Sequence, residues 1–228
     1  MTDSEVFGLL SGGLVVSCQA YEGEPLHGPG FMTAMARSAV LGGAAGVRIN
    51  GPADVEAVRA AVPVPLIGLW KDGDGDVYIT PTLEHALAVV RAGADIVAVD
   101  ATSRPRPDGR GLAETIAGVH RAGALVMADV ATAEEGVAAA GLGADCVSTT
   151  LSGYTSACPS PEGPDLDLVA VLADALDVPV FAEGRIGTPG QAARAIELGA
   201  HAVVVGGAIT RPADITRSFA QGLSRARP

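Results

Sequence analysis

Short apolar runs alternate with alanine-rich amphipathic stretches from one end of the chain to the other. The runs are continuous and rich in β-branched residues, a pattern typical of strands that are buried on both faces. They fall at 13–17, 46–49, 66–70, 96–100, 125–128, 146–149, 180–182 and 202–205. Several of the intervening stretches open with the polar caps and prolines that begin helices, as at Pro81-Thr82, Thr132 and Thr188-Pro189. The pattern predicts eight strand-and-helix units.

A repeated phrase supports this interpretation. Leu-Gly-Ala or Ala-Gly-Ala joins the end of a helix to the start of a strand around Gly93, Gly143 and Gly199, where the glycine supplies a left-handed residue. An open doubly wound sheet would fit six units better and usually carries a glycine-rich loop after its first strand, whereas here that strand leads into SCQA at 17–20. We therefore predict one domain, residues 1–228, folded as a (β/α)8 TIM barrel with a short N-terminal helix at 3–11 closing the bottom.

Composition and charge argue against a nucleic-acid-binding, a membrane-spanning or a secreted protein. A formal net charge of -11 argues against nucleic acid, because contacts to a phosphate backbone need basic patches. No apolar run reaches the roughly 18 residues of a membrane helix, and the N-terminus has no basic lead of the signal-peptide kind. Cys18, Cys146 and Cys158 are odd in number and lack metal-type spacing, so we expect reduced thiols in a cytoplasmic protein.

Catalytic groups of such barrels lie at the carboxyl ends of the strands, and here every predicted strand ends in polar residues or glycines. Any one of them could simply terminate a strand, but the whole set indicates a site. The set is Gln19, Arg48, Lys71, Asp100, Asp129, Thr149 with Thr150, Glu183 with Arg185, and Gly206 with Gly207. Of these, Thr149 is among the residues predicted to bind substrate.

Lys71 and Glu183 are the candidate catalytic residues. Lys71 is the only lysine in the chain, and a partly desolvated lysine can act as a base or an amine nucleophile, which arginine cannot. Glu183 directly follows a buried strand, where an unpaired carboxylate is costly. The plainer alternatives are a loop lysine without function and a structural ion pair between Glu183 and Arg185.

Glycines after the last two strands predict a phosphate site. Gly184-Arg185 and Gly206-Gly207, with Arg211 following, lie where barrels often hold phosphate on backbone N–H groups. No metal is predicted, because the four histidines are scattered, and the acidic run at 72–76 lacks the remaining ligands of a calcium loop.

Taken together, these residues resemble the N-acetylmannosamine-6-phosphate 2-epimerases of sialic acid catabolism. The shared phrases are SCQA at 17–20, EPLH at 24–27, GVRING at 46–51, YITPT at 78–82, DAT at 100–102 with RPRPDG at 104–109, STTLSGYT at 148–155, AEGRI at 182–186 and VVGGAITRP at 204–212. One departure is Asp72, which follows the lysine where the family usually has a basic residue and a longer polar loop.

The resemblance implies an isomerase that interconverts N-acetylmannosamine 6-phosphate and N-acetylglucosamine 6-phosphate without metal or organic cofactor, in a homodimer. It implies Lys71 as the acid/base at the sugar C2 and Glu183 as its partner. The implied substrate ligands are Gln19, Arg48, Asp129 and Arg211.

The chemistry of such a reaction agrees with these residue types. The C2 proton is acidic only when C1 is an aldehyde, and the resulting enolate needs a donor such as Arg48. Inversion requires two bases on opposite faces, or one base with rotation about the C1–C2 bond, and the sequence leaves both open. Two other functions also remain open. One is an aldolase-type lyase with a Schiff base on Lys71, and the other is a sugar-phosphate-binding barrel without catalysis.

Overall fold

A closed ring of parallel strands forms the centre of the molecule. The computed structural model describes residues 2–156, 158 and 162–225. Within them, eight strands follow one another around the ring in chain order, and the last pairs with the first. They are β1 (Leu14–Cys18), β2 (Gly46–Asn50), β3 (Leu66–Leu69), β4 (Ile96–Asp100), β5 (Leu125–Asp129), β6 (Cys146–Ser148), β7 (Val180–Glu183) and β8 (Ala202–Val205). The predicted (β/α)8 barrel is confirmed. Of the predicted domain 1–228, residues 1, 157, 159–161 and 226–228 lie outside the described residues.

Each strand lies within one residue of its predicted bounds. In most strands alternate residues belong to different apolar cores, one inside the ring and the other beneath the helices. In β3, for example, Leu66 belongs to the core beneath the surrounding helices, which includes Met32 and Val89. Its neighbour Ile67 belongs to the core inside the barrel, with Phe181. Both faces are buried, which is why the runs are apolar throughout rather than alternating.

Helices cover the outside of the ring, and three of the predicted start signals act as caps. The hydroxyls of Thr82, Thr132 and Thr188 each accept a hydrogen bond from the backbone N–H three residues on. The helices among the described residues are α1 (Asp3–Leu10), α2 (Pro29–Leu41), α3 (Pro52–Arg59), α4 (Leu83–Arg91), α5 (Leu112–Arg121), α6 (Ala133–Gly141), α7 (Leu166–Ala175), α8 (Pro189–Glu197), α9 (Gly207–Thr210) and α10 (Pro212–Arg225).

The repeated glycines end helices as predicted. Gly93, Gly143 and Gly199 have φ values of 100°, 97° and 97°, which are left-handed conformations that a side chain would strain. Each follows the last turn of its helix, and the next strand begins within a few residues. This turn returns the chain to the amino-terminal end of the barrel, so that every strand runs the same way.

Helix α1 closes the bottom of the barrel, as the sequence predicts. Its Val6 and Leu10 are buried in the same core as the residues inside the ring. The Phe7 ring lies 6.5 Å from that of Phe181, and the ring Nε2 of His201 lies 2.8 Å from the Phe7 carbonyl oxygen. The opposite, carboxyl end of the strands is therefore the open one. None of the helices in the described part of the chain has the length and apolar character to cross a bilayer.

Candidate active site

The carboxyl ends of the strands open into a cavity of about 460 Å³. Strand ends and following loops on several sides of the ring contribute to its wall, as expected for this fold. Nine of the eleven predicted site residues line it, namely Gln19, Arg48, Lys71, Glu183, Gly184, Arg185, Gly206, Gly207 and Arg211. The two that do not, Asp129 and Thr149, are buried directly behind this wall.

Arg48 joins two carboxylates at the floor of the cavity. Its Nη1 and Nη2 lie 3.1 and 2.6 Å from the two oxygens of Asp129, and Nη1 lies 2.7 Å from Oε2 of Glu183. Arg48 and Asp129 are almost completely buried, so neither charge could be accommodated without the other. Burial disfavours the guanidinium charge, but Asp129 and Glu183 outweigh it and raise the pKa of Arg48. Asp129 thus does not line the cavity itself but holds Arg48, which does.

Glu183 keeps its proton to higher pH than an ordinary glutamate. Its side chain is 13% exposed, and burial raises the pKa of its carboxyl. The Arg48 guanidinium opposes this rise, the Asp129 carboxylate adds to it, and Lys71 opposes it weakly. The plainer alternative for Glu183, a structural ion pair with Arg185, does not form among the described residues, since Arg48 is the arginine that binds this carboxylate. A buried carboxyl with a raised pKa can act as an acid or a base.

Thr150, and not the predicted Thr149, is the threonine that lines the cavity after β6. Strand β6 ends at Ser148, and a 3-10 turn at Thr149–Leu151 rotates the next side chains. The Thr149 hydroxyl donates to the backbone oxygen of Glu183 and accepts from its N–H, at 2.9 and 3.0 Å. It therefore connects the ends of β6 and β7 instead of facing the cavity, and Thr150 lines the cavity in its place.

Lys71 stands on a small hairpin at the end of β3. Trp70 and Thr80 hydrogen-bond through backbone N–H and oxygen at 2.8 Å, and Lys71 forms an antiparallel bridge with Ile79. The Lys71 N–H also donates to Oδ1 of Asn50 at the end of β2, at 2.8 Å. Asp72, the departure from the family pattern, contacts His85 at 3.1 Å, outside the cavity lining. These contacts fix the backbone from which the Lys71 side chain reaches the cavity.

The predicted phosphate turns line one side of the cavity. Gly184 and Arg185 are both left-handed, with φ values of 105° and 54°, and the second value is unusual for a residue with a side chain. Arg185 donates to the backbone oxygens of Ser152 and Gly163, each at 2.7 Å. Part of its hydrogen-bonding capacity therefore holds the loop after β6. The turn after β8 contributes Gly206 and Gly207 where α9 begins.

Arg211 reaches the same side of the cavity from the junction of α9 and α10. Its guanidinium pairs with the Glu24 carboxylate, and its Nε lies 3.3 Å from Oδ2 of Asp214. It also lies over the ring of Tyr21, at 5.0 Å from the centroid, and the Lys71 Nζ lies 5.4 Å from the same centroid. Tyr21 therefore stands beside two of the cations that line the cavity, Lys71 and Arg211.

Sequence reasoning missed the tyrosines. All three in the chain, Tyr21, Tyr78 and Tyr154, line the cavity. Each lies in a loop that follows a strand, in a chain with only 4% aromatic residues, and that distribution was a usable signal. For metals, the residues that the structure describes contain no group of three or more histidine, cysteine, aspartate or glutamate side chains that could hold an ion.

Comparison with known proteins places these features in a family. A family model described as "Putative N-acetylmannosamine-6-phosphate epimerase" (NanE) matches residues 32–225, most of the chain. The chain belongs to this family. A NanE relative from Cutibacterium acnes, which carries the corresponding 2-epimerase name, is 52% identical over 221 residues, covering 96% of each chain.

Solved structures agree with NanE membership. The N-acetylmannosamine-6-phosphate 2-epimerase of Clostridium perfringens superposes with a TM-score of 0.92 at 41% identity, covering 94% of this chain and 95% of that one. Deoxyribose phosphate aldolase from Aeropyrum pernix also superposes, with a TM-score of 0.68 over 95% and 96% of the two chains, but at 19% identity. This second likeness shows the barrel alone.

Proposed function

We propose that this NanE-family chain interconverts N-acetylmannosamine 6-phosphate and N-acetylglucosamine 6-phosphate by removing and returning the proton at C2. The observation that carries the proposal is the cavity itself. The single lysine of the chain, the mostly buried carboxyl of Glu183 with its raised pKa and the buried guanidinium of Arg48 all line it. Two glycine turns and Arg211 lie beside them. The relatives bear the name of this activity.

In the proposed reaction Lys71 and Glu183 carry the proton. The C2–H bond breaks in the open-chain sugar, its electron pair moves toward the C1 oxygen, and an enolate results, with the acetamido nitrogen still on C2. Return of a proton on the opposite face of C2 gives the epimer, with either two bases or one base and rotation of the intermediate. Arg48 supplies positive charge for the enolate from a site where it is already held by Asp129 and Glu183, so little reorganisation accompanies the reaction.

Gln19 is proposed to hold the sugar. Its Nε2 donates to the Ser17 hydroxyl at 2.7 Å, which fixes the orientation of the amide. Its Oε1 is buried and has no hydrogen-bond partner among the described residues. A buried acceptor without a partner is costly, and a hydroxyl or amide N–H of the bound sugar would satisfy it.

The phosphate is proposed to lie on the side of the cavity that contains Gly184, Arg185, Gly206, Gly207 and Arg211. At the start of α9 the N–H groups of Ile209 and Thr210 donate to the Gly206 oxygen. The amides of Gly207 and Ala208 precede these first helical bonds, which suits them to bind an anion. Binding of the phosphate at this place would orient the reacting carbon, C2, which lies several bonds away in the sugar.

Removal of Arg211 tests the phosphate assignment. Arg211→Ala should raise KM for the sugar phosphate about ten- to a hundredfold, the usual loss for one charge-assisted contact, with a smaller effect on kcat. Arg110→Ala, which removes an exposed arginine paired only at the surface, is the matched control and should leave KM unchanged. Equal activity of the parent on N-acetylmannosamine with and without phosphate would contradict the assignment.

The reaction itself is tested by NMR. Purified protein incubated with N-acetylmannosamine 6-phosphate should produce N-acetylglucosamine 6-phosphate until both sugars coexist at equilibrium. An aldolase-type lyase would instead release two shorter carbonyl products, and borohydride would trap the substrate on Lys71, the single lysine. A barrel that only binds would shift the sugar resonances without product.

Three further properties belong to the proposal. The chain acts in the cytoplasm as a single domain, and its place is in amino sugar breakdown, including that of sialic acids. It works as a homodimer, and the exposed apolar side chains of α10 are the observation that supports this. Among the described residues α10 buries no side chain, and Phe219 and Leu223 are 72% and 71% exposed. Beside β8 and α8 lies an uncovered apolar groove of about 440 Å³.

The groove is lined by apolar side chains, among them Leu14, Ile196 and Val203. In the earlier units of the barrel the helix after each strand buries apolar residues against the sheet, and α10 does not. We propose that α10 of one copy covers the groove of another. Light scattering should give twice the chain mass, and Phe219→Glu with Leu223→Glu should give a monomer. A parent that is monomeric at micromolar concentration would contradict the dimer.

A further inference from the structure

We infer that Thr150 is a positioning residue for Glu183: its hydroxyl is shared between the carboxylates of Glu183 and Asp129 and holds Glu183 in its catalytic orientation. The inference rests on the proposed role of Glu183 as an acid/base. Thr150 acts through Glu183 and not on the substrate directly. Its neighbour Thr149, at the end of the predicted strand, is the residue that the sequence favours for the site.

The geometry places Thr150 at a bridge. Its Oγ1 lies 2.7 Å from Oδ1 of Asp129 and 3.2 Å from Oε2 of Glu183. Nη1 of Arg48 lies at hydrogen-bond distance from the same two oxygens, at 3.1 and 2.7 Å. The two carboxylates are therefore joined twice, once through a charged donor and once through a neutral one.

The two bridges differ in the protons that they can give. Arg48 keeps its protons and can donate from Nη1 to both oxygens. A threonine hydroxyl has one proton and two lone pairs, so Thr150 can donate to only one carboxylate at a time. It can donate to Glu183 while that group is ionised. Once Glu183 is protonated, Thr150 can accept from the new O–H and donate to Asp129. Thr150 can thus keep a hydrogen bond to Glu183 in both protonation states by reversing its direction.

The local fold explains why this residue is the bridge. The 3-10 turn after β6 directs Thr149 to the backbone of Glu183, and the next side chain reaches the floor of the cavity. Ser148 supports the arrangement, because its Oγ lies 2.8 Å from Oγ1 of Thr150 and 3.4 Å from Oε2 of Glu183. Two strands and the turn therefore converge on one carboxylate oxygen.

The groups that face Glu183 determine how removal of the Thr150 hydroxyl should change the pKa of Glu183. The charged ones are Arg48 from β2, Lys71 after β3 and Asp129 from β5, and the neutral donors are Ser148 and Thr150. A hydrogen bond to the ionised carboxylate lowers the pKa of Glu183, and Thr150 contributes in this direction. Without the hydroxyl, the pKa of Glu183 should rise further.

The first experiment does not depend on turnover. In protein labelled with ¹³C at the glutamate carboxyls, the Glu183 signal is assigned by its loss in Glu183→Gln, and its titration is followed by NMR. Thr150→Val, which keeps the shape but removes the hydroxyl, should move the titration midpoint up by about one pH unit. Thr150→Ser should restore it. Thr115→Val is the matched control, because Thr115 is buried in α5 and its hydroxyl has no partner among the described residues.

The second experiment is the pH dependence of kcat in the same variants. The limb that disappears in Glu183→Gln should move to higher pH in Thr150→Val, with kcat reduced more than KM is raised, and should return in Thr150→Ser. An unchanged Glu183 midpoint in Thr150→Val, or an equal change in Thr115→Val, would overturn the inference. Should Thr150→Val not fold, Thr150→Ala removes the same hydroxyl and is judged by the same outcomes. Failure of the parent to epimerise would overturn the proposed function and leave the NMR result readable.

Discussion

Lys71→Ala should abolish both epimerisation and exchange of the C2 hydrogen of the sugar phosphate with solvent. The parent enzyme, run in D2O, should deliver product that carries deuterium at C2, because the proton removed by a solvent-exchanging base is not the one returned. Lys71 is the only side-chain amine in the chain and lines the cavity, so no neighbour of the same kind can replace it. Mass spectrometry and NMR of the recovered sugar check both parts.

Lys71→Arg separates charge from proton transfer. Arginine keeps a positive charge near Glu183 but does not give up its proton in the accessible pH range, so this variant should be as inactive as Lys71→Ala. Circular dichroism should show both variants folded, since the contacts that fix this position use the backbone N–H of residue 71 and not its side chain. An active Lys71→Arg variant, or deuterium-free product formed by the parent at full rate, would remove Lys71 from the mechanism.

The barrel could be predicted because its signals are local. Each strand is an apolar run whose two faces are both buried, and the helix ends at Gly93, Gly143 and Gly199 need a left-handed residue. Such requirements act on neighbouring residues and leave a repeated trace in the sequence. The same reasoning placed nine of the eleven predicted site residues in the wall of the cavity, because the carboxyl ends of parallel strands in a barrel meet at one rim.

What escaped prediction depends on contacts between distant residues. From its position at the end of the predicted strand, Thr149 is favoured over Thr150 as the residue that faces the cavity. In the structure the 3-10 turn, held by the bond of Thr149 to the backbone of Glu183, brings Thr150 to the cavity instead. The partner of Glu183 is Arg48, which lies 135 residues away in sequence, and not the nearby Arg185. The burial of Asp129 behind the wall is likewise set by the register of the strands around it. The exposed face of α10 could not be predicted, since its pattern is that of an ordinary barrel helix.

Glu183→Gln should lower kcat by about 10²–10⁴, the range that general acid/base groups contribute. Glutamine preserves the shape of the side chain and an oxygen for the N–H of Arg48, but it cannot take or give a proton at the reacting carbon. Binding should therefore change less than turnover, and KM should stay within a few-fold of the parent. Glu197→Gln, which alters an exposed carboxylate of α8 paired with Arg194, is the matched control and should retain parental kcat.

The pH profile supplies an independent test of Glu183. Because burial raises the pKa of its carboxyl, the ionisation should occur above the range of an exposed glutamate. In the direction of reaction in which Glu183 gives its proton, activity should fall as pH rises through that pKa. In the opposite direction, in which it acts as the base, activity should rise through the same pKa. Both limbs should vanish in Glu183→Gln. Near-parental kcat with only a raised KM would make Glu183 a binding residue, and Lys71 would then be the single base of the reaction.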